Sequence, residues 1–241
     1  MESQKPKIAM YVKRPFGEKL NASFDFLKEN WKLLLKFTTY LLLPLCLIQA
    51  LSLNGLMSGA LSISAIASST AMAASSSSLI AFGSYYGLYM FLYLIGIILL
   101  TSLVYGLIRT YNEREERLQG VTLGMLKPRL FRNIKRLLLM TGACILLVLF
   151  VGIFVGLLVA LTPFTLFLTI PFIIAFSVPL ALLAPIYLFE DITLMEAFKK
   201  TFRLGFATWG GVFLVSLLMG IIANVLQGVT MMPWYLATAV K

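Results

Sequence analysis

The chain has 241 residues, of which 60% are hydrophobic and 12% are charged, and its formal net charge is +10. A water-soluble domain of this length cannot bury so large an apolar fraction, so lipid is expected to cover much of the surface. In a soluble protein the positive charge would suggest nucleic acid. Here the basic residues flank apolar stretches, which excludes nucleic acid as the expected partner and favours membrane lipids, including anionic headgroups.

The charged side chains collect in three zones, residues 1–36, 109–136 and 190–203, with Lys241 alone at the end. The stretches between these zones contain no Asp, Glu, Lys or Arg. A charged residue at the centre of a bilayer costs roughly 2.5–3.5 kcal/mol on insertion scales. The charge-free stretches are therefore predicted to lie in a membrane.

A helix needs about 20 apolar residues to cross a bilayer. The predicted spans are, in chain order, 31–53, 80–108, 137–161, 164–189 and 209–231. All three charged zones then lie on one side, and the positive-inside rule makes that side cytoplasmic, with the N-terminus inside. The fold class predicted is all-α, a polytopic helical membrane protein with about five transmembrane helices, or six in a longer chain.

The connection at 54–79 is rich in Ser, Ala and Gly and carries no charge. Three structures fit this composition: a flexible external loop, a small-residue helix at the interface, or a re-entrant segment. We expect a partly helical loop that packs on the membrane surface.

Each charged zone ends in a similar lead-in to a span. Setting Trp31 beside Trp209 overlays residues 17–31 on 195–209 and matches Phe24 to Phe202. Setting Phe131 beside Phe202 overlays the middle zone on the last. The pattern predicts a single membrane domain over 1–241, built from repeat-like units. These units are 17–108, 122–189 and 193–241, of which the third is incomplete and ends either before a sixth span or in an external tail.

The lead-ins have helical periodicity with one apolar face. We expect three amphipathic interface helices, each lying along the cytoplasmic surface before the chain turns into the bilayer. The side chains expected to anchor them are Phe24, Trp31, Phe131, Phe202 and Trp209. The spacing of Thr193 and Glu196 predicts a capping box. Pro128 fits a first helical position, which predicts a shorter middle lead-in.

The stretch Pro185–Phe213 contains Glu190, the run EAFKKT at 196–201 and Trp209. It is similar to a signature of bacterial multi-pass proteins that include the membrane domain found with glycerophosphodiester phosphodiesterases, and of stand-alone relatives of unknown function. The resemblance implies a helical membrane module of obscure role. The phosphodiesterase chemistry of such proteins belongs to a separate soluble domain that uses histidines and carboxylates, and this chain has no histidine.

Catalysis needs a convergent nucleophile, base or metal cluster. The absence of histidine and of carboxylates within the spans predicts a protein that is not an enzyme and has no catalytic, cofactor or metal site. For Glu113, Glu115 and Glu116 a metal role is the alternative to a salt-bridged turn, which is preferred. For Glu190 and Asp191 a paired site is the alternative to helix capping.

The leading functional hypothesis is a non-catalytic accessory or organising component of the membrane. The alternative is a permease or lipid-handling subunit for a neutral or lipid-like molecule. It rests on Pro171, Pro179 and Pro185, which would interrupt the fourth span as in transporters with broken helices. It predicts a cavity beside Pro171 and Pro179.

Four residues are predicted to pack helices together. Asn224 and Gln227 share one face of the fifth span and are expected to hydrogen-bond to another helix. Gly152 and Gly156 have the GxxxG spacing that permits close approach. The contacts expected are either within the chain or with a membrane protein partner, including a second copy in a homo-oligomer.

Overall fold

The computed structural model describes residues 6–10, 12–68, 76–162 and 164–239. Within these ranges the chain forms helices and no strand. The helices are α1 (Phe16–Ser68), α2 (Ser76–Glu113), α3 (Leu123–Leu161), α4 (Thr165–Leu180), α5 (Leu183–Phe189), α6 (Leu194–Ala207) and α7 (Trp209–Ala239).

Five helical stretches are long and apolar enough to cross a membrane. They are Phe16–Gly59, Ile80–Glu113, Leu123–Leu161, Thr165–Phe189 and Trp209–Pro233. The predicted helical membrane protein with about five spans is thus confirmed. Much of the connection expected at 54–79 is helical, because α1 extends to Ser68 and α2 begins at Ser76. Residues 69–75 of that connection lie outside the described residues.

The first two lead-ins differ from expectation because no turn separates them from their spans. α1 and α3 each continue from the charged zone into the apolar stretch, and α3 begins at Leu123, so that Pro128 lies inside the helix. No glycine or proline follows Gly17 in the first lead-in to stop α1 before Pro44. Only the third lead-in forms a separate helix, α6. It ends at Ala207, and Thr208 leaves the helical conformation before α7 begins at Trp209.

The three lead-in helices nevertheless begin at equivalent positions of the sequence overlay. The residues before them are Pro15, Thr122 and Thr193. The carbonyls of these three residues accept the backbone N–H of Lys19, Leu126 and Ala197 at 3.2, 3.4 and 2.9 Å. The same overlay that matches Phe24, Phe131 and Phe202 therefore also matches the helix starts.

The described residues form two compact units. Unit 1 comprises Met1–Val12 and Asn21–Leu139, and unit 2 comprises Lys13–Leu20 and Met140–Lys241. The boundaries fall inside α1 and α3. The compact units thus follow side-chain packing and not the borders of the predicted repeat-like units.

In unit 1, α1 and α2 run antiparallel with close contacts along their length. The ring of Phe26 meets that of Tyr111 edge to face, with 5.2 Å between centroids. Further along, a Cβ added to Gly55 would lie 2.6 Å from the Tyr85 ring, so glycine allows the two helices to approach. The buried core of this unit comprises Phe26, Phe37, Leu103, Leu107, Tyr111, Leu118, Val121, Leu126 and Leu130.

In unit 2, α6 packs against the broken helix formed by α4 and α5. Of the interruptions predicted at Pro171, Pro179 and Pro185, one is found, a turn at 181–182 just after Pro179. Pro171 lies inside α4 and Pro185 inside α5. A Cβ added to Gly205 would lie 2.6 Å from Cα of Pro179, so α6 touches the backbone of α4 there. Behind this contact, Leu183, Tyr187 and Ala197 form the buried core.

Candidate functional site

The first two charged zones meet in unit 1 through a network around Glu29. Arg117 Nη1 donates to Glu29 Oε1 at 2.7 Å, and the Tyr111 hydroxyl donates to Glu29 Oε2 at 3.2 Å. The same hydroxyl accepts the backbone N–H of Ile8 at 3.2 Å. These bonds join the start of α1, the end of α2 and the segment before α1 at the charged end of the unit.

The N-terminal segment is also held by Lys7. Its ammonium donates to the backbone carbonyls of Asn112 at 2.8 Å and Arg114 at 3.1 Å, just past the end of α2. The last carbonyls of a helix lack intrahelical partners and carry partial negative charge, so a lysine is favourable there.

A second network surrounds Glu113. Arg109 Nε donates to its carboxylate at 3.0 Å, and Arg129 Nη2 donates to the other oxygen. Arg129 also donates to Thr110 Oγ1 at 3.0 Å, which joins α3 to α2. The preferred prediction of a salt-bridged turn is confirmed for Glu113 and for Glu116, which pairs with Arg114.

Polar groups also join α2 and α3 deeper in unit 1. Ser102 Oγ donates to the Leu130 carbonyl at 3.1 Å, and Asn133 Nδ2 donates to the Ser102 carbonyl at 3.3 Å. Ser102 is 0% and Asn133 is 6% exposed. Sequence reasoning missed this pair. The available signal was an asparagine among the basic residues of 127–136.

The third charged zone begins with the predicted capping box, which the structure confirms. Thr193 N–H donates to the Glu196 carboxylate at 3.0 Å, and Thr193 Oγ1 accepts the Glu196 N–H at 3.4 Å. The first of these bonds is the main reason why the pKa of Glu196 lies below its usual range. Glu190, expected to help cap this helix, pairs instead with Lys200, and the cap comes from Thr193 and Glu196.

The predicted anchoring residues occupy two different environments. In unit 1 the side chains of Phe24, Trp31 and Phe131 are 37%, 56% and 55% exposed. In unit 2 Phe202 and Trp209 contact α4. The Phe202 ring centroid lies 5.9 Å from that of Phe176, and Trp209 Nε1 donates to the Ala175 carbonyl at 3.0 Å.

The predicted helix-packing residues lie at open or exposed positions of the described chain. A Cβ added at Gly152 or Gly156 would have no atom within 4 Å. Asn224 donates to the Gly220 carbonyl of its own helix at 2.8 Å, and Gln227 is exposed. Their role in packing helices together stays a prediction.

Two adjoining clefts lie along α1 in unit 1. The first, of about 340 Å³, lies between residues 28–33 of α1 and residues 117–119. The second, of about 1060 Å³, follows α1 from Trp31 to Pro44 and is also lined by Leu123. Trp31 and Lys32 line both clefts, so we name them together the α1 groove.

The fold defines a helical multi-pass membrane protein, and ion pairs join several of its charged residues near the ends of the spans. Among the described residues, no group of three or more His, Cys, Asp or Glu could hold a metal ion. No family model, curated protein or solved structure matches this chain.

Proposed function

We propose that this chain is a non-catalytic accessory or organising component of a bacterial cytoplasmic membrane, with its N-terminus inside. It acts through its basic end, where it contacts anionic headgroups and a membrane protein partner. We further propose a relationship to the membrane module found with glycerophosphodiester phosphodiesterases, on the motif of Glu190, the run at 196–201 and Trp209.

This proposal rests on the groups that the carboxylates bind. Five of them hold backbone or basic groups of the protein itself: Glu29, Glu113, Glu116, Glu190 and Glu196. A carboxylate committed to an arginine or a helix cap stabilises structure, whereas a general acid or base needs a position beside a substrate. These bonds hold the charged ends of the spans in place, which suits a component whose charged surface binds other molecules.

Photo-crosslinking in membranes tests the proposal. A photoreactive residue at Phe131, which is 55% exposed beside the basic residues of α3, is expected to give a discrete adduct with one membrane protein. The matched control is Phe150, which is 74% exposed on the same helix within a charge-free stretch, and is expected to give only lipid adducts.

A second arm uses the purified full chain in liposomes with an entrapped dye. The proposal predicts no release above that of protein-free liposomes and no substrate turnover. Saturable solute flux, or metal-dependent turnover that Glu190→Gln abolishes, would overturn it.

The alternative function, a permease or lipid-handling subunit, is favoured by the break between α4 and α5. Broken helices frame many transport sites because their free backbone groups can bind a ligand. At Pro179, however, the space is filled by α6 through Gly205, and Pro171 is exposed on the outside of the unit. The liposome assay separates the two functions, since only the alternative predicts flux or lipid scrambling.

A further inference from the structure

The α1 groove has a charged end and an apolar end. Lys28, Lys32 and Lys36 are spaced four residues apart, so they line up along one side of α1. Leu35, between Lys32 and Lys36, also lines the groove, and beyond the lysines Tyr40 and Leu43 line it. These three side chains are 61%, 74% and 50% exposed.

The charged end is positive. Glu29, the carboxylate that lines it, is bound by Arg117 at 2.7 Å and by the Tyr111 hydroxyl at 3.2 Å. In the part of the chain that the structure describes, Lys28, Lys32 and Lys36 form no ion pair; Lys32 Nζ lies 5.9 Å from the centroid of the Trp31 ring. The three ammonium groups thus offer positive charge to an anion that enters the groove.

The order of charge and apolar surface along α1 matches the order within a phospholipid. The lysines belong to the charged zone that ends at residue 36, and the apolar end lies in the charge-free stretch that begins at residue 37. From Lys28 to Pro44 the helix rises about 24 Å at 1.5 Å per residue. One leaflet of hydrocarbon is about 15 Å thick, so the groove spans a headgroup and most of an acyl chain.

We propose that the α1 groove binds one anionic phospholipid molecule, with its phosphate on Lys32 and Lys36 and an acyl chain along Leu35, Tyr40 and Leu43. An ammonium binds phosphate as a point charge without fixed geometry, which suits a headgroup at the surface of a bilayer. The assignment rests on the proposed function, because it names the lipid that the organising component holds.

Trp31 lines both clefts and reports on the occupant. The experiment uses the full chain with Trp209→Phe and Trp234→Phe, so that Trp31 is the sole tryptophan, in phosphatidylcholine vesicles. A small fraction of phosphatidylglycerol or phosphatidylcholine carries bromine on its acyl chains and quenches nearby tryptophan. The brominated anionic lipid is expected to quench Trp31 several-fold more efficiently than the brominated neutral lipid.

Two variants locate the site. Each juxtamembrane lysine contributes about fivefold to the attraction of anionic lipid, so Lys32→Gln with Lys36→Gln is expected to remove the several-fold preference. Lys127→Gln with Lys135→Gln removes the same charge from exposed positions of α3 and is expected to leave the preference intact. Thr39→Phe keeps every lysine, fills the apolar end and is expected to abolish the preference.

Folding is checked by circular dichroism and gel filtration, and native mass spectrometry counts retained phosphatidylglycerol without relying on tryptophan. Equal quenching by the two lipids would overturn the proposal. An equal loss of the lipid preference in the α3 control would also overturn it, because it would show diffuse attraction. So would a dimer in gel filtration in which neither brominated lipid quenches Trp31, because a second copy of the chain would then cover the groove.

Dye entrapped in the same vesicles distinguishes the two proposals. Release with an intact lipid preference overturns the proposed function and leaves the lipid site standing. Absent preference without release overturns the lipid site alone.

Discussion

Thr193 and Glu196 show how single residues set the start of a helix in this protein. The backbone N–H of Thr193 donates to the carboxylate of Glu196, and the backbone N–H of Glu196 donates to the hydroxyl of Thr193. Such groups have no partner within the helix itself. At the equivalent start of α1 the residue before the helix is Pro15, which has no hydroxyl for a cap. The third lead-in is thus fixed by its own cap.

We expect Thr193→Ala to destabilise unit 2 by roughly 0.5–2 kcal/mol, the usual cost of losing a hydroxyl cap. Cys144 packs against the core of Leu183, Tyr187 and Ala197, so its thiol becomes reactive when this unit opens. The measurement is the midpoint of thiol labelling on heating, in a Cys46→Ala background. Thr193→Ser, which keeps the cap, is the control; an unchanged midpoint in the alanine variant would contradict the role.

The capping box also predicts a dependence on acid. The pKa of Glu196 is held below its ordinary value of 4.5, mainly by the N–H of Thr193. Its contribution to stability is therefore fully present above pH 4.5 and is lost as the pH falls through the lower pKa of the folded state. We expect Glu196→Gln to remove this part of the acid sensitivity, measured as the midpoint of thermal unfolding by circular dichroism at a series of pH values, because a thiol is protonated and unreactive in acid. An identical pH profile in the variant would contradict the assignment.

At the scale of elements, two helix pairs are joined by different means. α4 and α6 touch through Gly205 and Pro179, where the backbone of one helix approaches that of the other. α2 and α3 are joined by hydrogen bonds of Ser102 and Asn133. In a membrane both devices are expected, because lipid tails are as apolar as the side chains and burial alone does not favour association.

Gly205→Ala is expected to destabilise unit 2 by roughly 1–3 kcal/mol through overpacking. The added methyl would lie 2.6 Å from Cα of Pro179, and a backbone atom cannot move away as a side chain can. Gly142→Ala on α3 is the matched control, since nothing lies within 4 Å of the added atom. If both variants label at Cys144 with equal midpoints, the close packing does not contribute to stability.

Asn133→Ala is expected to weaken the α2–α3 pair by roughly 1–2 kcal/mol, the value of an interhelical hydrogen bond in model membrane helices. The readout is unfolding by sodium dodecyl sulfate followed by Trp31 fluorescence, in the chain with Trp209→Phe and Trp234→Phe. Lys135→Ala, on an exposed position of the same helix, provides the baseline. Equal unfolding of the two variants would show that the Asn133 bond adds nothing.

For the whole molecule, the sequence predicted what depends on charge and hydropathy. The five spans follow from charge-free stretches, and the start of α6 follows from the spacing of Thr193 and Glu196. The predicted start of the middle lead-in at Pro128 was wrong, because α3 begins at Leu123. Hydrogen bonds between helices were not predictable, because the sequence does not show whether an asparagine bonds to another helix or to its own. Asn133 bonds to α2, whereas Asn224 bonds to the helix that contains it. The continuity of α1 was missed because the change from charged to apolar residues is not itself a helix break.

The orientation of the chain is the last prediction. Nearly all its basic residues lie in the three charged zones, and lysine and arginine in short connections remain on the cytoplasmic side. With Cys46→Ala and Cys144→Ala, single cysteines at the exposed positions Ser58, Gln119 and Lys199 are probed with an impermeant maleimide. Ser58→Cys is expected to label from outside, and the other two only after the cells are opened. The second and third zones are read separately, and the first zone follows the second because both lie in unit 1. Labelling of Lys199→Cys alone from outside would therefore place the third zone opposite the first two and exclude a shared basic surface. Labelling of Gln119→Cys from outside would instead invert unit 1 and place the α1 lysines at the outer leaflet.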